Sequence, residues 1–340
     1  MIANAQTSAA PRKPQKGGSL DTLTAFLKAA ADPLRLEVLQ VLGQNSFGVL
    51  ELCEILEARQ SGMSHHLKVL AKAGLVEQRR EGNSSFYRRA LPVTTDRLHR
   101  SLLERLDRLP LREEPARRLA QVQQQRAERS QRFFQRSGVA LDASRDLIAD
   151  FDRYGELACR LLDRALPRGG EEALEVGPGD GRFLSMLAQR FVRVTGLETT
   201  EPMLAQCRQR IEQENLDNVA LVAGQWPQAA PPRQFDAVIL NMVLHHLPAP
   251  AESFVSAARR LRRGGVLLVT ELCRHDQAWA RERCGDLWLG FDGTELAAWA
   301  SRAGLEADEG QFLALRNGFQ VQVRTFVHCQ DNTARELSKP

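Results

Sequence analysis

An apolar run, Ala173-Leu174-Glu175-Val176, leads directly into Gly177-Pro178-Gly179-Asp180-Gly181, and a helical pattern begins at Arg182. No other feature constrains the fold as tightly. A strand that becomes a helix through three glycines needs positive φ angles and a close backbone approach, and it belongs in a parallel sheet with helical crossovers. The flanking sequence keeps that rhythm. Further strands are predicted at Val192–Leu197, Val219–Ala223, Phe235–Leu240 and Val266–Glu271. Helices are predicted over Ala149–Leu166, Arg182–Arg190, Glu201 to about Glu214 and Ala251–Leu261, with a turn at Arg263-Gly264-Gly265. Such alternation implies an α/β, Rossmann-like, doubly wound sheet covered on both faces. The period then changes, and Phe312–Leu315, Asn317-Gly318 and Gln320–Val327 read as a terminal antiparallel hairpin.

The loop is not a complete dinucleotide fingerprint, because the third glycine would fall at position 182, which is Arg. Two carboxylates supply the chemistry instead. Glu198 ends the next strand, 21 residues after Gly177, where it can accept both hydroxyls of a ribose. Glu175 sits before the loop, where its charge repels a pyrophosphate and attracts a sulfonium bearing an ammonium group. The stretches "EVGPGDG", "VTGLE", "FDAVILNMVLHHL" and "LRRGGVLLVTEL", with the terminal hairpin, resemble the class I S-adenosylmethionine (SAM) methyltransferases over nearly 200 residues. The resemblance implies SAM, or its product S-adenosylhomocysteine, as ligand. Glu175, Gly177, Gly179 and Gly181 would then meet the methionine part and Glu198 the ribose. Thr199 and Met203 would flank the adenine. Gln225 and Trp226 would stand at its edge, where many relatives carry Asp, and Asn241 and Met242 would close the pocket. His245 and His246 lie just beyond the fourth strand, on the carboxyl edge of the sheet. They are candidates for a catalytic base or an acceptor contact, the alternative being that they shape the loop. Tyr154 either covers the pocket or packs. No acceptor signature is present, and the N-P-P-Y motif of amino-methylating DNA enzymes is replaced by Asn241-Met242-Val243-Leu244.

Residues 20–95 have a different grammar. Leu20, Leu23, Phe26, Leu27 and Ala30 recur at helical spacing, and Asp32-Pro33 is an N-cap followed by Pro at the first helical position. A third short helix is seeded by Val49 to Leu56, and a fourth runs from Ser61 to Leu70 with Met63, Leu67 and Leu70 inward. Two strand-like runs, Leu75–Arg80 and Ser84–Arg89, flank a turn at Glu81-Gly82-Asn83. Short helices followed by a basic hairpin make an α/β winged helix-turn-helix. Ser61, Ser64, His65 and Lys68 are its candidate DNA contacts on the fourth helix, and Arg79, Arg80, Arg88 and Arg89 those of the wing. "ADPLRLEVLQVL", "SGMSHHLKVLAKAGLV" and "RREGNSSFYRR" resemble the ArsR family of bacterial repressors over about 70 residues. The resemblance implies a homodimer, paired through the Leu20–Ala31 helix and the helix after Thr95, on near-palindromic operator DNA. The metal sites of that family are not matched. Cys53 stands where its first thiolate would, but Ile55 replaces the second, and Asp96 with His99 lack their companion pair. No zinc spacing occurs elsewhere, so no metal is expected.

Length and charge fit a fusion. The chain has 340 residues, room for about two domains at ~150 residues each. Residues 1–140 hold 23 Lys/Arg against 14 Asp/Glu, a net +9, and the remainder carries a net −5. Only the first half is therefore expected to meet a polyanion. The six cysteines are scattered without a C-x-x-C pair, as in reduced cytoplasmic proteins, and most are expected to be buried. No apolar run approaches the ~18 residues of a membrane span. The expected organisation is a disordered tail at 1–19 rather than a signal peptide, a winged helix at 20–95 and a helical dimerisation or connector segment at 96–140. A SAM-binding domain follows at 141–330, with a tail at 331–340. The connector's Arg/Gln-rich stretch, Glu113 to Arg136, is expected to be solvated, with Phe133 and Phe134 docking on the next domain. Two functions fit: a transcriptional regulator whose second half binds SAM or S-adenosylhomocysteine as effector, which we favour, or a methyltransferase acting on a small-molecule acceptor.

Overall fold

The computed structural model describes residues 19–43, 45–81, 84–92, 96–137, 148–149 and 151–328. The tails expected at 1–19 (Ser19 apart) and 331–340, the hairpin tip at Gly82-Asn83 and Cys329 lie outside the described residues.

The first unit is built from α1 (Leu20–Ala30), α2 (Pro33–Val41), β1 (Phe47–Gly48), α3 (Val49–Leu56), α4 (Gln60–Lys72), β2 (Val76–Glu81) and β3 (Ser84–Arg89). Asp32 caps α2 by accepting from the Arg35 amide at 2.9 Å, with Pro33 at the first helical position. The strands form an antiparallel sheet in the order β1-β3-β2. Helix α5 (Arg97–Asp107) follows, and after the interruption at Pro110 comes α6, 25 residues from Glu113 to Ser137. Leu103, Leu106 and Val122 from these two helices join the winged-helix core around Leu39, Leu52, Leu67 and Leu70.

The second unit follows the predicted alternation. In chain order it contains α7 (Phe151–Ala165), β4 (Gly170–Val176), α8 (Arg182–Ala188), β5 (Phe191–Glu198), α9 (Glu201–Gln213), β6 (Val219–Ala223) and β7 (Phe235–Asn241). A 3-10 turn (Leu244–His246), α10 (Pro250–Arg260), β8 (Leu261–Leu272), α11 (Trp279–Arg283), α12 (Gly293–Arg302), β9 (Leu305–Ala314) and β10 (Gln320–His328) complete it. Seven strands are ordered β6-β5-β4-β7-β8-β10-β9. Pairing is parallel from β6 to β8, and β10 is antiparallel to both β8 and β9. Alternate residues fill two cores: Ala237, Ile239, Val266 and Leu268 face one side of the sheet, Val238, Leu240, Leu267 and Val269 the other. The expected turn at Arg263–Gly265 is absorbed into β8, which pairs with β7 from Leu261 onward with one register shift.

Candidate functional site

The glycine loop performs as its composition requires. Gly177, Gly179 and Gly181 all adopt positive φ, and a Cβ at Gly177 would stand 2.6 Å from Val243. Arg210 Nε donates to the Asp180 carbonyl at 2.9 Å and the Cys207 thiol to the Gly179 carbonyl at 3.1 Å, tying the loop to α9. Glu198, at the end of β5, accepts through Oε1 from the Thr199 amide (2.7 Å) and the Thr200 amide (3.0 Å), so the strand end itself aims the carboxylate. Thr199 is fixed in turn by its hydroxyl, which donates to the Gly224 carbonyl.

Along this carboxyl edge lies a cavity of about 390 Å³, within the range for small-molecule sites. Of the residues expected to bind the ligand, Gly177, Glu198, Thr199, Met203, Gln225, Trp226 and Met242 line it. Gly179, Gly181, Glu175 and Asn241 are not among its lining residues. Burial pushes the Glu175 carboxyl up to about 8, and the nearby Asp180 and Glu198 charges add to the shift. A hydrogen bond with Asn241 opposes it. Glu175 Oε2, Asn241 Oδ1 and Trp226 Nε1 are buried without a hydrogen-bond partner. Polar atoms left in this state beside a cavity suit a polar, cationic ligand that would satisfy them.

The two histidines separate. His246 lines the cavity, and the ring of Phe134 meets it edge-on at 4.8 Å. His245 points away into the protein, its Nδ1 2.7 Å from Glu271 Oε1. Only His246 is therefore placed to meet a ligand in the cavity. Tyr154 is buried against Phe151 rather than in the cavity wall.

The cavity's other wall is α6. Ala120, Ala127, Ser130 and Phe134 face the ligand space, and Phe133 covers Gly285, where a Cβ would stand 2.3 Å from the ring. Phe133 and Phe134 thus dock as expected, but the solvated helix does not hold: α6 is wedged between the two units. Its Arg126 is the centre of that wedge. Nε and Nη2 grip Glu51 on α3 at 2.8 and 2.6 Å, Nη2 donates to the Ser46 carbonyl and Nη1 to Pro248 beside the cavity. The guanidinium lies over the rings of Phe47 and Trp288, one from each unit. Glu252, which also lines the cavity, accepts from Gln123 of α6 and from Asn45 of the winged helix. A signal for this was present in the sequence. Ala116, Ala120, Ala127, Ser130 and Phe134 make a narrow stripe at helical spacing, hidden by the arginines around it.

On the winged helix, Ser61, His65 and Lys68 are exposed along α4 and Ser64 is half-buried. His66 turns inward, with Nδ1 3.8 Å from Asp32. The wing departs from expectation. Arg80 is exposed, but Arg79 is 2% exposed, donating to the Gly290 carbonyl and paired with Glu81 at 2.5 Å and Glu295 at 3.6 Å. Arg88 pairs with Glu77 at 3.0 Å and Glu295 at 2.6 Å; burial opposes its charge, but those carboxylates outweigh it and raise its pKa. Arg89 is buried too, bonded to the Leu39 carbonyl and Asp107. Arg79 and Arg88, expected on the DNA side of the wing, are therefore held against the second unit. The reason is strand alternation: neighbours such as Arg79 and Arg80 point to opposite faces, and one face of the wing lies against the second unit. Of the cysteines, Cys159, Cys207 and Cys284 are buried, while Cys53 and Cys273 are half-buried. Among the described residues no helix is long and apolar enough to cross a membrane.

Comparison with known proteins finds one family match in each unit. Residues 30–79 match the family described as a helix-turn-helix domain, and residues 174–269 that described as a methyltransferase domain. A ubiquinone biosynthesis O-methyltransferase of Dechloromonas aromatica is 26% identical over 201 residues, covering 47% of this chain and 84% of the relative. A protein of Streptomyces fradiae named for its 37.1 kDa mass and its place in transposon TN4556 is 30% identical over 234 residues, covering 67% of this chain and 66% of its own. Among solved structures, the 1,6-didemethyltoxoflavin-N1-methyltransferase of Burkholderia thailandensis, with bound S-adenosylhomocysteine, aligns at a TM-score of 0.50 and 21% identity. It covers 61% of this chain and 91% of that one. The chain thus joins a helix-turn-helix domain to a methyltransferase domain, and its second unit has the fold of that solved methyltransferase.

Proposed function

We propose that this protein is a DNA-binding transcriptional regulator whose methyltransferase domain binds SAM or S-adenosylhomocysteine as an effector. The observation that carries this reading is α6. One helix walls the ligand cavity through Ala127 and Phe134 and holds α3 of the helix-turn-helix through Arg126 and Glu51. A ligand that moves α6 changes the support of the DNA-binding unit without any further element. The residues around the cavity fit the ligand class: an aimed carboxylate at Glu198 for a ribose, apolar flanks at Met203 and Trp226 for a purine, and a buried carboxyl at Glu175 for a cation.

DNA would meet the exposed face of α4, with Ser61, Ser64, His65 and Lys68 toward base edges and phosphates, and Arg80 on the outer face of the wing. Helix α1 presents Leu20, Leu23 and Leu27 at 78%, 44% and 50% exposure in one stripe. That stripe supports a homodimer on two half-sites.

The test is a titration of the full chain onto a fluorescent fragment of its own upstream region, alone, with SAM, and with S-adenosylhomocysteine. Coupling predicts a shift in operator affinity of ~1–3 kcal/mol with at least one ligand. Ligand binding without any shift would sink the effector role and direct attention to methyl transfer, with His246 at the cavity wall as the candidate acceptor contact.

A further inference from the structure

A second cavity, of about 350 Å³, lies along the seam between the two units, with room for a small molecule. Its walls come from the end of α2, the end of β3 and the residues after it, α5, and α12 of the second unit. The lining is largely apolar, with Leu42, Ala90, Leu91, Leu103 and Trp299 among its residues. The charged groups there are unevenly matched. Arg89, from β3, is 7% exposed. Its Nε donates to the Leu39 carbonyl and its Nη1 to Asp107 of α5, while Nη2 lies against Gly43, where a Cβ would stand 3.0 Å from it. Among the described residues Nη2 makes no hydrogen bond. Arg302, from α12, reaches the other oxygen of the same carboxylate, its Nη2 standing 3.4 Å from Asp107 Oδ2. Among the described residues Asp107 is the one carboxylate paired with either guanidinium. Burial pushes the Arg89 pKa down, Asp107 opposes that shift, and the charge of Arg302 adds to it. The other charged lining residues leave this balance as it is. Glu295 holds Arg88 at 2.6 Å, and Arg100 and Glu104, one of each sign, are exposed on α5.

Two guanidiniums on one carboxylate carry one surplus positive charge, and half of that pair is buried against an apolar wall. A monoanion cancels the surplus, whereas a doubly charged phosphate overshoots it. A planar carboxylate also matches the fork of a guanidinium. The apolar lining and the indole of Trp299 suit a hydrophobic, ring-bearing body. We propose that this cavity is a second ligand site, for a small aromatic carboxylate whose charged end is held by Arg89 and Arg302. The site rests neither on SAM binding nor on its coupling to DNA. It is nevertheless linked to the first cavity, because Asn45 lines the second and donates through Nδ2 at 3.0 Å to Glu252, which lines the first.

The probe is 2-naphthoate, titrated into the full chain by calorimetry and ligand-observed NMR, beside 2-naphthamide, which has the same shape and no charge. The expected result is one naphthoate per chain with a Kd of ~1 mM or tighter. The amide should bind at least ~10-fold more weakly, as the loss of a charge-assisted hydrogen bond implies. Arg302→Gln, at a partly exposed side chain, should weaken naphthoate about 10-fold and leave the amide within about twofold. Ala298→Phe, on α12, fills the cavity and should remove saturable binding of both probes. Arg208→Gln, at an exposed arginine of α9, should change neither. Circular dichroism separates loss of the site from loss of the fold, and should Ala298→Phe fail to fold, Arg302→Gln decides alone. No saturable naphthoate binding up to ~10 mM overturns the proposal. So does an amide that binds as tightly as the acid, or naphthoate binding that is unaltered in a folded Arg302→Gln or Ala298→Phe variant.

Discussion

Glu175 makes ligand binding a proton-linked event. Its carboxyl, fully inside the protein, is pushed up to about 8 by burial and by the charges of Asp180 and Glu198. At neutral pH the unliganded protein therefore carries a protonated Glu175. A ligand bearing an ammonium group next to it favours the carboxylate and expels that proton. If binding requires the ionised form, the apparent Kd scales as one plus the ratio of protonated to ionised Glu175. That factor is ~100 at pH 6 and ~2 at pH 8, so affinity should rise about 50-fold between them, or ~2.3 kcal/mol. The sign for stability is opposite. A carboxyl raised in the folded state binds its proton more tightly than in the unfolded chain, so the unliganded protein loses stability as pH climbs from ~4.5 through about 8. Calorimetry with S-adenosylhomocysteine at pH 6, 7 and 8, in buffers of different ionisation enthalpy, measures both the slope and the released proton. Glu175→Gln should flatten the slope and abolish proton release. A wild-type Kd that changes less than threefold from pH 6 to 8, or an unchanged slope in Glu175→Gln, refutes the reasoning.

Further expectations concern other parts of the site and its support. Glu198→Ala removes the aimed carboxylate and should weaken S-adenosylhomocysteine binding by ~1.5–3 kcal/mol in calorimetry, as expected for a hydrogen bond to a charged group. Arg80→Ala should lower DNA affinity and reduce the salt slope by about one. Arg79→Ala should instead take one of two guanidinium partners from each of the buried Glu81 and Glu295, which keep Arg281 and Arg88, costing roughly 1–3 kcal/mol in denaturant unfolding while leaving the salt slope intact. Arg126→Ala should abolish any ligand-induced change in operator affinity and destabilise the chain by about 3 kcal/mol, while ligand affinity stays within a few-fold, as calorimetry beside DNA titration would show.

Much of the molecule is determined by the order of its residues. Asp32-Pro33 starts a helix wherever it is placed, because cap and fixed φ act within one turn. Gly177, Gly179 and Gly181 prescribe a strand-to-helix loop because only glycine enters that conformation without strain. The alternation from Ala173 to Glu271 imposes a parallel sheet because apolar runs of that length need cover on both faces. These are local or periodic effects, and the sequence displays them directly. What tertiary structure alone decided involves partners distant in the chain. Arg79 and Arg80 are identical residues on one strand, yet one is buried in the interface and the other faces solvent, since the neighbour that covers one face comes from residues 290–295. Arg126 reads as one more charge on a solvated helix until Glu51, Pro248 and Trp288 close around it. His245 and His246 look equivalent, but Glu271 claims the first and the cavity receives the second. Charge and chemistry are properties of the side chain; which charge is compensated, and which imidazole lines the cavity, depends on chain segments brought together only by folding.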